Sequence, residues 1–199
     1  MYNKIIKSIL SENEFLVLSE FTNGFKKGLY GRELSRRYGL PAASINLALK
    51  SLSEKGVLSV EMAGKTALYY IKKDDVSFEY LNLVEIYKKI NFIESNLVAG
   101  RVVNLISPLI SGIGAIFGSY SRGSQKNDSD MDIFVAGKAD KENIKKISDT
   151  YNIDISLKVY SREEFIDLID KDTLIKEVIN SHVIICGFEE FLTGVKAKW

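Results

Sequence analysis

The sequence predicts a two-part chain of α+β or α/β class, and three observations carry the prediction. Apolar residues recur at helical spacing through residues 4–56 and are followed by two short strand-like runs. A long helical pattern then fills residues 78–107. Beyond it, apolar runs at 113–117, 131–135, 153–159 and 183–186 read as strands, with helical segments among them. The expected division is a first domain over residues 1–75, a linker helix over 76–95 and a second domain over 96–199.

The first part opens with Ile5, Ile6, Ile9 and Leu10, then Phe15, Leu16, Leu18 and Phe21 after Ser11-Glu12-Asn13-Glu14, which offers an N-cap and early acids for one or two helices. Asn23-Gly24 breaks the pattern. Leu29, Leu34 and Tyr38 mark a second helix ending at Gly39, with Arg32, Arg36 and Arg37 on its flanks. A third helix opens at Pro41 and buries Ile45, Ala48, Leu49 and Leu52 before Gly56. Val57 to Met62 and Thr66 to Ile71 then form a hairpin whose tip, Ala63-Gly64-Lys65, is basic.

Two helices across a Gly-Leu-Pro turn, followed by this hairpin, resemble the winged helix-turn-helix family. The resemblance implies a third helix that enters the DNA major groove and a wing that touches the backbone. Arg36, Arg37, Asn46, Lys50 and Lys65 are the candidate DNA contacts. Leu47 and Glu54, on the same outward face as Asn46 and Lys50, suit a protein contact as well, so DNA binding and a protein-interaction or dimerisation module both stand.

The long helical pattern runs from Phe78 to Ser107 and is expected to break near Asn91 or Gly100. Its apolar residues cover more than one face, which suits either a homodimer contact or a helix wrapped around its own domain.

In the second part, Ile113 to Phe117 leads into Gly118-Ser119, and ten residues later Asp130-Met131-Asp132 heads another apolar run. Glycine lets a polyphosphate approach the backbone, where amides and the Ser119 hydroxyl can hold its oxygens; Arg122 stands close by. Side chains two apart on a strand share a face, so Asp130 and Asp132 point together while Met131, Ile133 and Val135 face the core. Adjacent carboxylates repel, and a divalent cation such as Mg²⁺ offsets that repulsion. Asp128 reads as a solvated loop residue. Ile153 to Val159 alternates, with Ile153, Ile155, Leu157 and Val159 inward, which places Asp154 on the acidic face if the strands pair.

Ser161-Arg162-Glu163-Glu164 offers an N-cap with early acids for a helix through Ile169, and a further helix runs through Ile179. Val183 to Cys186 completes the sheet. Glu163, Glu164, Glu189 and Glu190 read as solvated helix faces.

Gly-Ser, ten residues, then Asp-x-Asp resembles the nucleotidyltransferase superfamily that includes DNA polymerase β, and especially its minimal nucleotidyltransferase (MNT) domains. Tyr120-Ser121-Arg122-Gly123 is similar to the Ala-Arg-Gly segment usual there, with Ser121 in place of alanine. The resemblance spans about residues 96–187. It implies a mixed sheet with packed helices and transfer of a nucleoside monophosphate from a triphosphate, expected to be ATP, to an acceptor hydroxyl. It further implies two Mg²⁺ ions held by Asp130, Asp132 and Asp154 as catalytic residues, and triphosphate binding by Gly118, Ser119 and Arg122. Related MNT proteins modify HEPN-type toxins or aminoglycosides, so a toxin is a candidate partner. A nucleotide-sensing transcriptional regulator and an antitoxin that works by binding are the competing readings.

Composition narrows the classes further. With 46% hydrophobic residues, 27% charged residues and two prolines among 199 residues, collagenous, mucin-like and disordered classes are excluded. No apolar stretch reaches the ~20 residues of a membrane span, and the first residues carry no secretory pattern, so a cytoplasmic protein without membrane partners is expected. One His and one Cys exclude a zinc site of those ligands; Cys186 reads as strand filler, and any metal must be held by oxygen. Residues 1–75 carry 12 Lys and Arg against 8 Asp and Glu, net +4, and the remainder is net −3. The two parts are therefore expected to meet different partners.

Overall fold

The computed structural model describes residues 9–25, 27–126 and 128–198, so the expected helical residues 4–8 and the terminal Trp199 lie outside the described residues. The chain forms two compact units, one of residues 1–21 and 26–84, the other of Thr22–Phe25 and Glu85–Trp199.

The first unit follows the winged-helix order α1 (Glu12–Phe21), β1 (Leu29–Tyr30), α2 (Gly31–Tyr38), α3 (Ala42–Glu54), β2 (Leu58–Ala63) and β3 (Thr66–Ile71). Ser11 and Glu14 start α1 as a reciprocal cap: the Glu14 amide donates to Ser11 Oγ, and the Ser11 amide to Glu14 Oε2. Gly39 closes α2 in the left-handed conformation. Leu18, Phe21, Leu34, Ile45, Leu49, Leu52 and Leu58 form the core. Leu29 belongs to a two-residue strand and not to the second helix: Leu29 and Tyr30 pair with Tyr69 and Leu68 at the edge of a sheet ordered β1-β3-β2. Helical spacing could not reveal this, because two residues have no period.

Helix α4 (Asp75–Ser95) contains the point where the two units divide, and α5 (Leu97–Ile106) follows. The break falls at Asn96, whose backbone (φ −134°, ψ 74°) is not helical, and not at Asn91 or Gly100. Gly100 is a packing residue: a Cβ there would lie 2.8 Å from the Ile93 main chain.

The second unit is built on β4 (Ile110–Phe117), α6 (Gly118–Ser121), β5 (Met131–Ala139), α7 (Lys141–Tyr151), β6 (Ile155–Tyr160), α8 (Arg162–Leu168), α9 (Thr173–Asn180), β7 (Val183–Cys186) and α10 (Phe188–Lys196). The sheet order is β6-β5-β4-β7, with β4 antiparallel to both neighbours and β5 parallel to β6, so the sheet is mixed. One core gathers Met131, Ile133, Val135, Ile116 and Ile185 from the sheet with Val102, Val103 and Ile106 of α5 and Ile144 of α7. Phe134, on the alternate register of β5, packs against Phe165 of α8 and Tyr160, and Phe165 stacks on Phe191 of α10. Of the four expected inward residues of β6, Ile153, Ile155 and Leu157 pack against the core, while Val159 is 38% exposed on this edge strand. No described helix is long and apolar enough to cross a membrane.

A buried polar cluster lies within the second unit. Lys88 donates to Glu85 Oε1 (3.0 Å) and Thr22 Oγ1 (3.2 Å), while His182 Nδ1 donates to Val178 O (2.8 Å) and its Nε2 stands 3.3 Å from Glu85 Oε1. Burial alone would raise the Glu85 carboxyl, but the Lys88 ammonium and the neighbouring His182 ring hold it at about 2. Burial pushes His182 below its ordinary value, with Lys88 acting in the same direction. In the first unit burial likewise opposes ionisation of Glu14, and its bonds from Lys55 (2.5 Å) and Ser11 hold that carboxyl at about 2.

Two outcomes follow. Replacing Glu85 by Ala strands a buried ammonium and should cost about 3–5 kcal/mol of unfolding free energy, measured in urea. Acidification should also destabilise the chain in two stages. His182 binds protons more weakly folded than unfolded, so its contribution falls as pH drops below 6.5; Glu14 and Glu85 contribute fully above 4.5 and lose their contribution as pH falls toward 2. Thermal midpoints measured across pH 8 to 3 check both stages.

Candidate active site

The candidate site forms where β4 ends and β5 begins. Antiparallel pairing sets Phe117 opposite Asp132, so the residue after Phe117, Gly118, comes against the Asp132 side chain. Gly118 has φ +71°, a conformation that L side chains rarely adopt, and a Cβ there would lie 2.8 Å from Asp132 Oδ2. The Gly-Ser turn and the Asp-x-Asp segment thus meet at one point. Gly118 begins the single helical turn of α6, and Ser119 follows half-buried with its carbonyl accepting from the Ser124 amide at 3.0 Å.

On the other side of β5, parallel pairing puts Met131 beside Ile155 and Asp132 beside Ser156. The Met131 amide donates to the Asp154 carbonyl at 2.7 Å, which brings Asp154 alongside the Asp130-Met131 step. Asp130 and Asp154 are exposed just before their strands and Asp132 is half-buried within β5. Backbone pairing therefore aligns the three acids at neighbouring strand ends. Among the described residues, however, no three His, Cys, Asp or Glu side chains converge into a formed metal-ligand group.

Arg122 is not free: its guanidinium pairs with Glu177 Oε1 of α9 at 3.1 Å, with both side chains near half exposed. Tyr120 stands beside the acids, and burial together with the Asp130 charge pushes its hydroxyl up. Ser121, which replaces an alanine of the resemblance, carries contacts that the sequence did not announce. Its Oγ lies 3.1 Å from Gly118 O, 3.2 Å from Ser181 O and 2.9 Å from Ser181 Oγ. No local spacing could have linked residues 60 positions apart. Gln125 in the loop between α6 and β5 donates to Asn96 Oδ1 at 2.9 Å.

The candidate DNA contacts of the first unit divide. Arg36 and Lys65 are exposed, on α2 and at the wing tip. Arg37 pairs with Glu20 and with Glu33, and Lys50 lies 3.7 Å from Glu54 on its own helix. Asn46 is exposed on α3, but its Oδ1 is turned toward Gly31, where a Cβ would approach it to 2.4 Å.

Replacing Gly118 by Ala should cost both backbone strain, about 1–2 kcal/mol, and the contact with Asp132. Gly123 has φ +65° with nothing within 4 Å of a Cβ, so Gly123→Ala measures strain alone. Urea unfolding should show the larger loss for Gly118→Ala.

Residues 113–190 match the family model described as polymerase beta, nucleotidyltransferase. No curated protein matches the chain. Among solved structures the chain is similar to TrmBL2, described as an archaeal chromatin protein with a novel mode of DNA binding, at 17% identity over 87% of this chain and 71% of that chain, with a TM-score of 0.30. Over residues 113–190, which hold the Gly118–Asp132 contact and Asp154, the chain resembles the polymerase beta nucleotidyltransferases.

Proposed function

We propose that the second unit is a Mg²⁺-dependent nucleotidyltransferase that moves a nucleoside monophosphate, AMP from ATP, onto an acceptor hydroxyl. The observation that carries the reading is the approach of Gly118 to Asp132, which unites the Gly-Ser turn with the acidic strand. The donor set suits a hard divalent cation, since it offers carboxylate oxygens from Asp130, Asp132 and Asp154 and contains no thiolate or imidazole. Two bound Mg²⁺ ions would offset the charge of the triphosphate and of the departing pyrophosphate.

The chain's own residues then have separate tasks. Gly118 admits phosphate oxygens close to the backbone, and Ser119 adds a hydroxyl donor. Arg122 bonds Glu177 through Nη1 alone, which leaves its other guanidinium donors for a phosphate. Asp154 accepts the proton of the acceptor hydroxyl as its oxygen attacks the α-phosphorus, the bond to the bridging oxygen of the β-phosphate breaks, and pyrophosphate leaves. A protein hydroxyl, such as one on a HEPN-type toxin, and an aminoglycoside hydroxyl are both acceptor classes that the resemblance implies. Incubation of the full chain with Mg²⁺, each α-labelled nucleoside triphosphate and candidate acceptors should give label transfer and pyrophosphate. Asp130→Ala and Asp132→Asn should lower transfer at least about 100-fold; transfer that survives both changes would sink the reading.

For the first unit, the outward face of α3 favours a protein partner over DNA. Leu47 is 71% exposed there, Lys50 is paired with Glu54, and Arg37 is held by two acids. Arg36 and Lys65 are exposed cations that such a surface still offers to phosphates. Fluorescence anisotropy with duplex DNA at near-physiological salt should give a Kd weaker than about 10 µM, whereas nanomolar binding would establish DNA as the partner.

A further inference from the structure

Helix α9 makes two ties to the Gly-Ser turn. Glu177 on α9 and Ser181, the extended residue that ends the helix, meet Arg122 and Ser121 respectively. The two ties differ in kind. The ion pair is exposed, and such pairs contribute little. The serine pair is part-buried and has one hydroxyl facing three oxygens: Ser181 Oγ–H can donate to Ser121 Oγ, leaving the Ser121 proton for Gly118 O or Ser181 O.

Ser181 is also fixed from behind. Its amide donates to Glu177 O at 3.0 Å, and the next residue, His182, is buried against Phe191 (centroids 4.7 Å apart) and stacked on Phe25 (6.3 Å, 8° between planes). The serine pair therefore connects the turn that carries Gly118 to one of the best-anchored points of the unit. A turn of four residues with a left-handed first residue has few internal contacts of its own to hold it.

We propose that Ser181 is a positioning residue for nucleotide binding, acting through Ser121 to hold the Gly118-Ser119 amides and hydroxyl in the geometry that receives a triphosphate. The proposal rests on the nucleotidyltransferase reading and adds to it a residue outside the Gly-Ser and Asp-x-Asp segments. Ser181 does not touch the nucleotide in this scheme. Its hydroxyl fixes where Ser121, and hence Gly118 O, sits.

The test is calorimetric titration of the full chain with α,β-methylene ATP, and with the corresponding GTP, CTP and UTP analogues, in Mg²⁺. Ser181→Ala and Ser121→Ala should each weaken binding about five-fold or more, the loss of one hydrogen bond. The double variant should be no weaker than Ser121→Ala, which already removes every bond of the Ser121 hydroxyl, the one to Ser181 Oγ included. Ser181→Thr keeps the hydroxyl and should restore binding. Thermal midpoints should move by only about 2–4 °C, so that unfolding does not account for the loss. Glu177→Gln removes the exposed tie, frees Arg122 and should leave binding equal or tighter. If the wild type binds and Ser181→Ala binds equally well, or Glu177→Gln weakens binding as much as Ser181→Ala does, the assignment to Ser181 is wrong while the catalytic reading stands. If the wild type binds none of the four analogues, the catalytic reading fails and takes the positioning role with it.

Discussion

The register between β4 and β5 is the constraint on which the second unit depends. Pairing Phe117 with Asp132 places Gly118 against the Asp132 carboxylate and, through strand alternation, sends Met131, Ile133 and Val135 into the core. A slip of one residue would exchange the faces, turning Asp132 into the core beside α5 and α7 and driving Met131, Ile133 and Val135 into the side where Phe134 packs on Phe165. Desolvating the Asp132 carboxylate there without a partner would cost several kcal/mol. Core packing therefore enforces the site geometry, and the acids need no attraction of their own to be aligned.

Electrostatics is handled differently in the interior and at the site. Glu85, Lys88 and His182 are desolvated together, and the Lys88 ammonium keeps the carboxylate charged where burial would neutralise it. Such a cluster adds little net stability compared with apolar packing, but loss of one member leaves another charge without a partner. Its physical effect is specificity, because few alternative arrangements satisfy an ammonium on two oxygens while seating an imidazole between aromatic rings. At the site the logic reverses: Asp130 and Asp154 keep their water and stand at strand ends. Exposed carboxylates cost little to hold near one another, and they remain available to a cation.

What the sequence made legible was local. The Gly118 to Val135 stretch could be read because a strand period of two and a fixed ten-residue gap are properties of contiguous chain, and the β2–β3 hairpin could be read for the same reason. Helix α7 escaped notice: its Ile144 and Ile147 lie among Lys, Glu, Asp and Asn side chains, too few apolar residues for a clear helical stripe. The edge position of β6 left Val159 exposed although it alternates correctly. Partners across the fold were invisible in principle. Arg122 reads as a free cation until Glu177 is placed beside it, Arg37 until Glu20 is, and Ser121 as a silent exchange for alanine until Ser181 arrives. The order of helices and hairpin in the first unit was legible, whereas the pairings of Arg37 with Glu20 and Lys50 with Glu54 were not.

Thr22–Phe25 bears on how the two units can be inherited. This four-residue segment follows α1 of the first unit, yet it belongs to the second, where the Gly24 amide donates to Ile179 O, Phe25 stacks on His182 and Thr22 receives the Lys88 ammonium. The chain therefore enters the second unit, leaves it and enters again. A module joined by a single linker can be exchanged by recombination at one point, but here any exchange of the N-terminal part must also supply a fitting lining for His182. A fragment cut out at residue 96 would lack Thr22, Phe25, Glu85 and Lys88, the side chains that line His182 and its ion-pair cluster on one side.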